Sequence, residues 1–589
     1  MLRIFLLLLG LTVLVRGRLF TGQFVVQLLE HDRETARLLA ADHGMRLLDT
    51  ALEELDSGLF HFQDARLPTV SSSPALLRTR SLTADPRVVW AAQQELRHRQ
   101  RRGHRIGCDV TGTCPLNISG LTGAWNFDDP FFSRQWYLLE DGVHADEAWS
   151  RGFTGRGVTA FVLDDGVQQE NPEISANYEW RGSADVSDLR FPRPQPEPRN
   201  ADDAHGTYCA AVIAGAANNA FCGVGVAFHA RVGGVKLLGS GPLSDLQEAQ
   251  ALYMWQGIGD VASASWGPSD NGRSMEKPGR LAAAALHRGI TKGRGGRGAV
   301  FVWAAGNGAM QGDNCNLDGY ASSPFTLTIG ALTNTGDSCI YSEPCAAVLT
   351  AVPVSGPTDM IGQQSSVVVP ELDGGCRSNF QGTSAAAPLA AGLVALALQA
   401  NPKLTWREVQ HAVVLASRPV SSLDPKWRKN AAGHQFHPRQ GFGSLHAGRL
   451  VDAALDLAVK PLPPRRHLVL ELRGPPIGVR GLGNTTVALF TSPESIPAMS
   501  SVEHVVASVS LRHARRRNLE IWIVSPSGTE SQVLTQRRQD NSTEGFENWP
   551  FLSVHFWGEQ PWGVWRIVIA NHAPLIGLLT ALHIDLFGH

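Results

Sequence analysis

Residues 382–396 constrain this chain more than any other stretch. Gly382-Thr383-Ser384-Ala385-Ala386-Ala387-Pro388 runs directly into the apolar Leu389-Ala390-Ala391-Gly392-Leu393-Val394-Ala395-Leu396. A small-residue turn that opens an apolar helix is a good seat for a nucleophile. Glycine lets the chain bend tightly, and a helix N-terminus favours developing negative charge. Pro388 falls in the first turn, where a missing N–H costs least. Taken alone, the stretch reads equally well as a buried Ala-rich helix capped by a serine. Stretches upstream decide for the nucleophile.

From about residue 127 to residue 457, short apolar strands alternate with small-residue helices, an α/β texture. Thr159-Ala-Phe-Val-Leu163 reads as a buried parallel strand and ends in Asp164-Asp165-Gly166. Polar residues just past the carboxyl end of such a strand commonly form the site of an open α/β sheet. His205-Gly206-Thr207 precedes a small-residue helix over 210–217, and Ala299-Val-Phe-Val-Trp303 runs into Ala304-Ala-Gly-Asn307-Gly308. Singly, these are a turn, a structural histidine and a loop. In the order Asp, His, Asn, Ser they match the subtilisin order of triad plus oxyanion donor. Ser384 would attack a carbonyl, His205 would take its proton, Asp164 would fix the imidazole, and Asn307 would donate to the oxyanion.

At 589 residues the chain is too long for one core and implies three or four units. Apolar content of 43% with 18% charge describes a folded globular chain, and a net charge of -2 suggests no nucleic-acid partner. Residues 1–17 read as a secretory signal, with Arg3 before an apolar run too short to span a bilayer. Export places the eight cysteines where disulfides persist. No later stretch reaches about 18 uninterrupted apolar residues, so no transmembrane segment is expected in this chain.

Residues 18–102 read as a small α+β unit. Phe24-Val-Val-Gln-Leu-Leu-Glu and Gly58-Leu-Phe-His-Phe read as strands, and residues 32–43 and 86–100 as helices. The unit ends in Arg97-His-Arg-Gln-Arg-Arg102-Gly-His-Arg105, where five of nine residues are arginine. After a small secreted unit, such a tract is a processing junction. Arg78-Thr-Arg80-Ser81, read as a loop, is a second candidate nick site. Cys108 and Cys114 could close a small local disulfide loop. Lys460-Pro-Leu-Pro-Pro464 marks a boundary, after which residues 502–511, Leu519-Glu-Ile-Trp-Ile-Val524 and Trp562-Gly-Val-Trp-Arg-Ile-Val-Ile569 read as strands. Asn117, Asn484 and Asn541 open glycosylation sequons.

The words Gln135-Trp-Tyr-Leu138, Asp164-Asp165-Gly166, His205-Gly-Thr, Gly223-Val-Gly-Val-Ala227, Ser263-Ala-Ser-Trp-Gly-Pro268, Gly293-Arg-Gly-Gly, Asn314-Cys-Asn-Leu-Asp-Gly-Tyr320 and Gly382-Thr-Ser-Ala span nearly the whole chain. Together they resemble the proprotein convertases of the kexin and furin type. Gly241-Pro242-Leu243 and Asn218-Asn-Ala-Phe-Cys222 are similar to the type-seven convertase within that family. The resemblance implies an inhibitory prodomain over 18–102 and a subtilisin-like α/β catalytic domain over 103–457, with a mostly parallel sheet and helices on both faces. An all-β jelly-roll or sandwich P domain would follow over 465–589.

The implied activity is a calcium-dependent serine endoprotease of the secretory pathway, in the ER, Golgi or trans-Golgi network or secreted. It would cut precursor proteins after paired or clustered basic residues. Its own prodomain would act as inhibitor and chaperone, released by self-cleavage after Arg102. Several arginines need an anion at each pocket, because guanidinium stays charged and pairs in a fork geometry. By resemblance, Asp270 and Asp318 face the P1 arginine, Asp165 and Asp202 face P2, and Glu248, Glu276 and Tyr320 line P4. Ser269 stands where relatives carry a further acid, Glu276 where Asp is usual, and Gly239-Ser240 replaces an Asp-Gly turn. Weaker demand at the outer pockets is therefore expected. His61 is a candidate pH switch without the second histidine that relatives use.

Calcium is the implied metal, with hard oxygen ligands. One site would use Asp129, Glu173 and Asn219 with carbonyls around Ala216, Phe221 and Gly223. A second would use Asp270, Asp313 and Glu343 beneath the P1 pocket, three carboxylates that repel one another without a cation. No His/Cys cluster has zinc-ligand spacing. Cys222–Cys376 and Cys315–Cys345 match family disulfides, and Cys209 is expected buried and free. The competing reading is a catalytically silent binding or chaperone protein on the same scaffold, which the presence of all four catalytic residues disfavours.

Overall fold

The computed structural model describes residues 18–48, 52, 55–102, 125–187, 195–239, 241–358, 364–421, 424–495 and 499–589. The signal segment 1–17, Cys108, Cys114, the Asn117 sequon and Ser240 lie outside the described residues. The chain forms two compact units. One comprises Met1–His98 with Ser240–Gln250 and Gly279–Ala285, and the other Arg99–Gly239, Ala251–Pro278 and Leu286–His589.

The first unit is an antiparallel sheet in the order Arg46–Leu48, Leu59–Gln63, Leu19–Leu28, Val88–Arg97, Leu243–Ser244. The helix Arg33–Asp42 begins where the Asp32 carboxylate accepts from the Thr35 N–H at 2.7 Å. Its Ala36, Leu39 and Ala40 join Phe24, Val26, Phe60 and Phe62 in one core. Two sequence expectations fail here. The stretch read as a helix over 86–100 is the strand Val88–Arg97, paired along Leu19–Leu28. Ala91, Ala92, Gln93 and Gln94 favour helix, but an unpaired edge beside a buried strand and the β-branched Val88-Val89 outweigh that preference. Arg80, read as lying in a loop, stands exposed on the helix Leu76–Thr83, which must unwind before a protease can cut it.

The second unit is built on a parallel run in the order Val348–Thr358, Thr326–Thr333, Val300–Ala304, Val261–Ala264, Thr159–Asp164, Arg231–Lys236, Ala184–Asp185. An antiparallel pair, Gln364–Pro370 and Cys376–Phe380, extends it beyond Val348–Thr358. The central strands are mostly apolar, as burial on both faces requires. Against them packs the helix Thr383–Ala400, whose small residues are almost all buried. It is long and apolar enough to cross a membrane, yet it lies inside protein, so its composition reflects a core.

The same unit closes with two antiparallel sheets. One orders Arg466–Glu471, Gly577–Gly588, Val502–Arg512, Phe546–Ser553, and the other Gly483–Thr491, Gly563–Asn571, Leu519–Val524, Glu530–Leu534. Leu519, Ile521 and Ile523 point inward while their neighbours are half-buried, the alternation of a sandwich. This core also takes in Leu317 and Ala346 from the α/β part. Asn316 stitches the junction: its amide donates to Leu552 O at 3.1 Å and accepts from Leu552 N–H at 2.9 Å, while Trp549 Nε1 donates to its carbonyl. Asn484 and Asn541 are exposed, as glycan attachment requires. Cys222–Cys376 and Cys315–Cys345 are joined, and Cys209 and Cys339 are free and buried.

Candidate active site

Asp164 ends the strand Thr159–Asp164, and His205 opens the helix His205–Ala214. The His205 Nδ1 lies 2.9 Å and 3.0 Å from the two Asp164 oxygens. Burial works against the imidazolium, but the Asp164 charge and hydrogen bond outweigh it, so the His205 pKa is raised. Phe380 stands edge-on to the ring at 5.6 Å. The helix comes this close only because residue 206 is glycine: a Cβ there would meet Gly166 O at 2.2 Å.

Ser384 is the second residue of Thr383–Ala400, just after Gly382 with its φ of 98°. Its Oγ bonds to Ser265 O at 3.4 Å, and His205 Nε2 is buried without a hydrogen-bond partner. The Ser384–His205 bond that the triad calls for is therefore not formed in this state. Such bonds are often long or misaligned before the reacting complex assembles. Asn307 is held more firmly. Its Oδ1 accepts from both the backbone N–H and the hydroxyl of Thr383 at 3.0 Å, which leaves Nδ2 facing outward. Nδ2 donates to the carbonyl oxygen of Arg102.

The tail Arg99–Arg102 occupies the cleft as an added strand. Arg101 pairs with Trp266 and Gln100 with Gly267, and the Arg102 N–H donates to Ser265 O at 3.0 Å. The Arg102 guanidinium is buried. Its Nη2 lies 2.5 Å from Asp318, its Nε 3.5 Å from Asp270, and Nη1 donates to Ala304 O. Burial disfavours the charge, but Asp318, Asp270 and Glu343 raise its pKa further. Gly267 makes the room, since a Cβ there would meet Arg102 Nη2 at 2.3 Å.

Arg101 lies 2.9 Å from Asp165 and 3.4 Å from Asp203, and it donates to the Asp202 carbonyl. Asp202 offers its backbone carbonyl here, and Asp203, which Lys236 also holds at 2.8 Å, adds a carboxylate beside it. Asp165 does double duty. Its two oxygens accept from the N–H groups of His205 at 3.3 Å and Gly206 at 2.7 Å. Arg99 meets Glu276 at 2.6 Å and sits 5.8 Å from the Tyr320 ring, itself stacked on Trp303. Glu248 is fully buried in the helix Asp245–Tyr253. Ser265, Thr383, Ala304 and Asp203 were not singled out from sequence. Three of them act through backbone or as supports, for which residue type carries no signal.

The two carboxylate sets expected to hold calcium are both present. Gly308 lies where the second converges: a Cβ there would meet Asp313 at 2.7 Å, Glu343 at 2.8 Å and the Asp270 backbone at 3.1 Å. Burial, then Asp313 and Asp270, push Glu343 well above the usual carboxylate range, and burial takes Asp270 up to about 6. In the first set Asp129 accepts from the N–H groups of Asn218 and Asn219, and the Asn219 amide faces Glu173 at 3.4 Å. Burial pushes Glu173 up to about 9 and raises Asp129 as well. Carboxylates this reluctant to ionise are hard-oxygen donors that fit a divalent cation.

Comparisons with known proteins agree with this geometry. The Subtilase family profile matches residues 155–443, the Proprotein convertase P-domain profile 502–580, and the Peptidase S8 pro-domain profile 23–102. Human proprotein convertase subtilisin/kexin type 4 is 39% identical over 95% of this chain and 70% of its own length. Human neuroendocrine convertase 2 is 37% identical over 97% of this chain and 88% of its own. Furin-like protease 1, isoform 1-CRR, of Drosophila melanogaster is 36% identical over 97% of this chain and 51% of its own. The Aeromonas sobria serine protease, solved with its chaperone, superposes with a TM-score of 0.69 at 22% identity, over 80% of this chain and 97% of that one. That likeness concerns the fold alone.

Proposed function

The chain belongs to the proprotein convertase family of subtilases and is a serine endopeptidase, and on that premise we propose that it cleaves secretory precursor proteins after clustered basic residues in a calcium-dependent manner. One observation carries the reading. The chain's own Arg99-Gln-Arg-Arg102 lies in the cleft with each arginine on an acid and the Arg102 carbonyl on Asn307. A product-like peptide in that position is both inhibitor and substrate template, so the prodomain holds the enzyme silent until its tail leaves.

In this reading Ser384 attacks the carbonyl carbon of the P1 arginine, and His205 takes the hydroxyl proton and then returns it to the leaving amine. Asp164 holds the imidazole and stabilises its charged form. Asn307 receives the oxyanion, pre-aimed by Thr383. Asp318 and Asp270 select P1, Asp165 and Asp203 select P2, and Glu276 with Tyr320 favours a basic P4. Asp129, Glu173 and Asn219 would hold one calcium ion and Asp270, Asp313 and Glu343 another. The charge of a bound ion would let these buried acids ionise together.

Self-cleavage after Arg102 belongs to the same reading, with residues 18–102 released as prodomain and the segment from 465 retained as P domain; the Arg102 carbonyl on Asn307 supports it. The apolar start of the chain supports entry to the secretory pathway. The narrower likeness to the type-seven convertase rests on the short loops quoted for it.

The test is cleavage of short peptides ending in Arg-Xaa-Arg-Arg against peptides with apolar P1 residues, with and without a chelator. Only the basic peptides should be cut, and only with calcium. Ser384→Ala should keep its prosegment uncut, and mass spectrometry of the active enzyme should find its N-terminus at Gly103. A Ser384→Ala chain that still matured within its own molecule would overturn the triad.

A further inference from the structure

Away from the catalytic residues, three side chains from two ends of the α/β fold converge. His144 precedes the short helix Ala145–Trp149, which carries Glu147, and His446 caps the helix Ala447–Val459. The two imidazoles stack with centroids 4.1 Å apart and planes 9° apart. The Glu147 Oε1 lies 3.7 Å from His144 Nδ1 and 3.6 Å from His446 Nε2, and one ligand atom from each residue falls within 4.8 Å of the others. Sequence spacing alone gave no hint of this, because His446 arrives from three hundred residues away.

Two backbone features serve the cluster. His144 holds a left-handed conformation, φ 56° and ψ 43°, which a histidine adopts at a cost. Gly448 leaves space that any side chain would take: a Cβ there would meet Glu147 Oε2 at 2.1 Å. Arg151, a nearby cation, is already paired with Asp452 at 2.8 Å.

We propose that His144, Glu147 and His446 bind a divalent transition cation of the zinc class. Two imidazole nitrogens and one carboxylate oxygen suit such an ion, whereas calcium prefers oxygen alone. Tetrahedral zinc places its donors about 3.4 Å apart, so spacings now within 4.8 Å must close by up to about 1.4 Å, and the His144 ring must turn out of its stack so that both in-plane lone pairs meet at the ion. Binding at His446 Nε2 moves the ring proton to Nδ1 and gives up the Arg449 N–H contact. At 3.5 Å that contact is already at the limit of a hydrogen bond. The fourth position opens toward solvent beside the half-exposed Glu147. A bound ion would pin the last helix of the α/β fold to its first.

The full chain, saturated with calcium, is titrated with Zn²⁺ by calorimetry and with Co²⁺ by visible absorption. The expected result is one zinc per chain at this site, visible cobalt bands of four-coordinate type without a near-ultraviolet thiolate band, and a raised unfolding midpoint. Glu147→Gln and His446→Ala should each weaken binding at least tenfold. Glu147, half-exposed, keeps the test valid if His446→Ala does not fold. The buried group Asp164, His205 and Cys209 is the other described cluster able to take such an ion. Zinc that binds only with a thiolate band, or with equal affinity in wild type and Glu147→Gln, overturns the proposal.

Discussion

Two groups of buried acids lie in the second unit, and the fold treats them differently. Asp270, Asp313 and Glu343 are met by arginines from two distant segments: Arg102 stands 3.5 Å from Asp270, and Arg537 3.0 Å from Asp313. Arg537 is itself fixed by Asp540 at 2.8 Å and by Ser274 O at 2.6 Å. Asp129 and Glu173 are held by amide donors. The effect is visible in their protons. Burial takes Glu173 up to about 9, while Asp270, less deeply set but beside two like charges, reaches only about 6, offset by Arg102 and by the Asn307 N–H. The first group therefore responds to whoever occupies the cleft and to the neighbouring β-sandwich. The second meets amide donors, which carry no full charge.

Arg537→Met puts this contrast under the greatest strain. It strands Asp313 in the interior, and breaking a buried pair costs about 3–5 kcal/mol. Denaturant unfolding should show that loss under chelation and a smaller one at saturating calcium. An equal loss in both conditions would separate Arg537 from the cation set. Next, Asp318→Asn should lower kcat/KM for a P1-arginine peptide by about 10²–10³-fold, the scale of a desolvated charge pair. A fall of less than tenfold would mean that Asp270 suffices.

The Glu173 group makes a third test, through pH. Its folded pKa lies above the unfolded value, so without metal its contribution is full near pH 4.5 and declines as pH rises toward 9. Chelated protein should lose about 2–3 kcal/mol between pH 5.5 and 7.5, at roughly 1.4 kcal/mol per unit. Calcium-loaded protein and Glu173→Gln should both stay flat. The smallest effect has the opposite sign. His61 is buried with both ring nitrogens unpartnered, and burial pulls it down to about 3. Below about pH 6.5 the unfolded histidine takes a proton that the folded one refuses, so the first unit weakens as pH falls. Between pH 6.5 and 5.5 the loss is about 1 kcal/mol. Hydrogen exchange in the uncut Ser384→Ala chain should detect it, and His61→Phe should abolish it.

What could be read from sequence follows from how each feature is encoded. Thr159–Asp164 and Leu519–Val524 announce themselves because a doubly buried strand must be apolar and a sandwich strand must alternate. Asp164, His205, Asn307 and Ser384 were legible only together, through their order along the chain, since each alone looks like an ordinary turn, histidine, loop or cap. Val88–Arg97 was misread because its helix-favouring residues are decided by a partner strand seventy residues away. Thr383 and Ser265 lie in stretches that were read, but their own roles were not, because they act on their neighbours by hydrogen bonds that leave no pattern.

Asp165 grips the first two amides of the histidine helix with the same carboxylate that receives Arg101. In the proposed reading, choosing a substrate and aiming the base become one mechanical act. A peptide with a neutral penultimate side chain should bind more weakly and, once bound, also turn over more slowly, so turnover number and affinity would fall together.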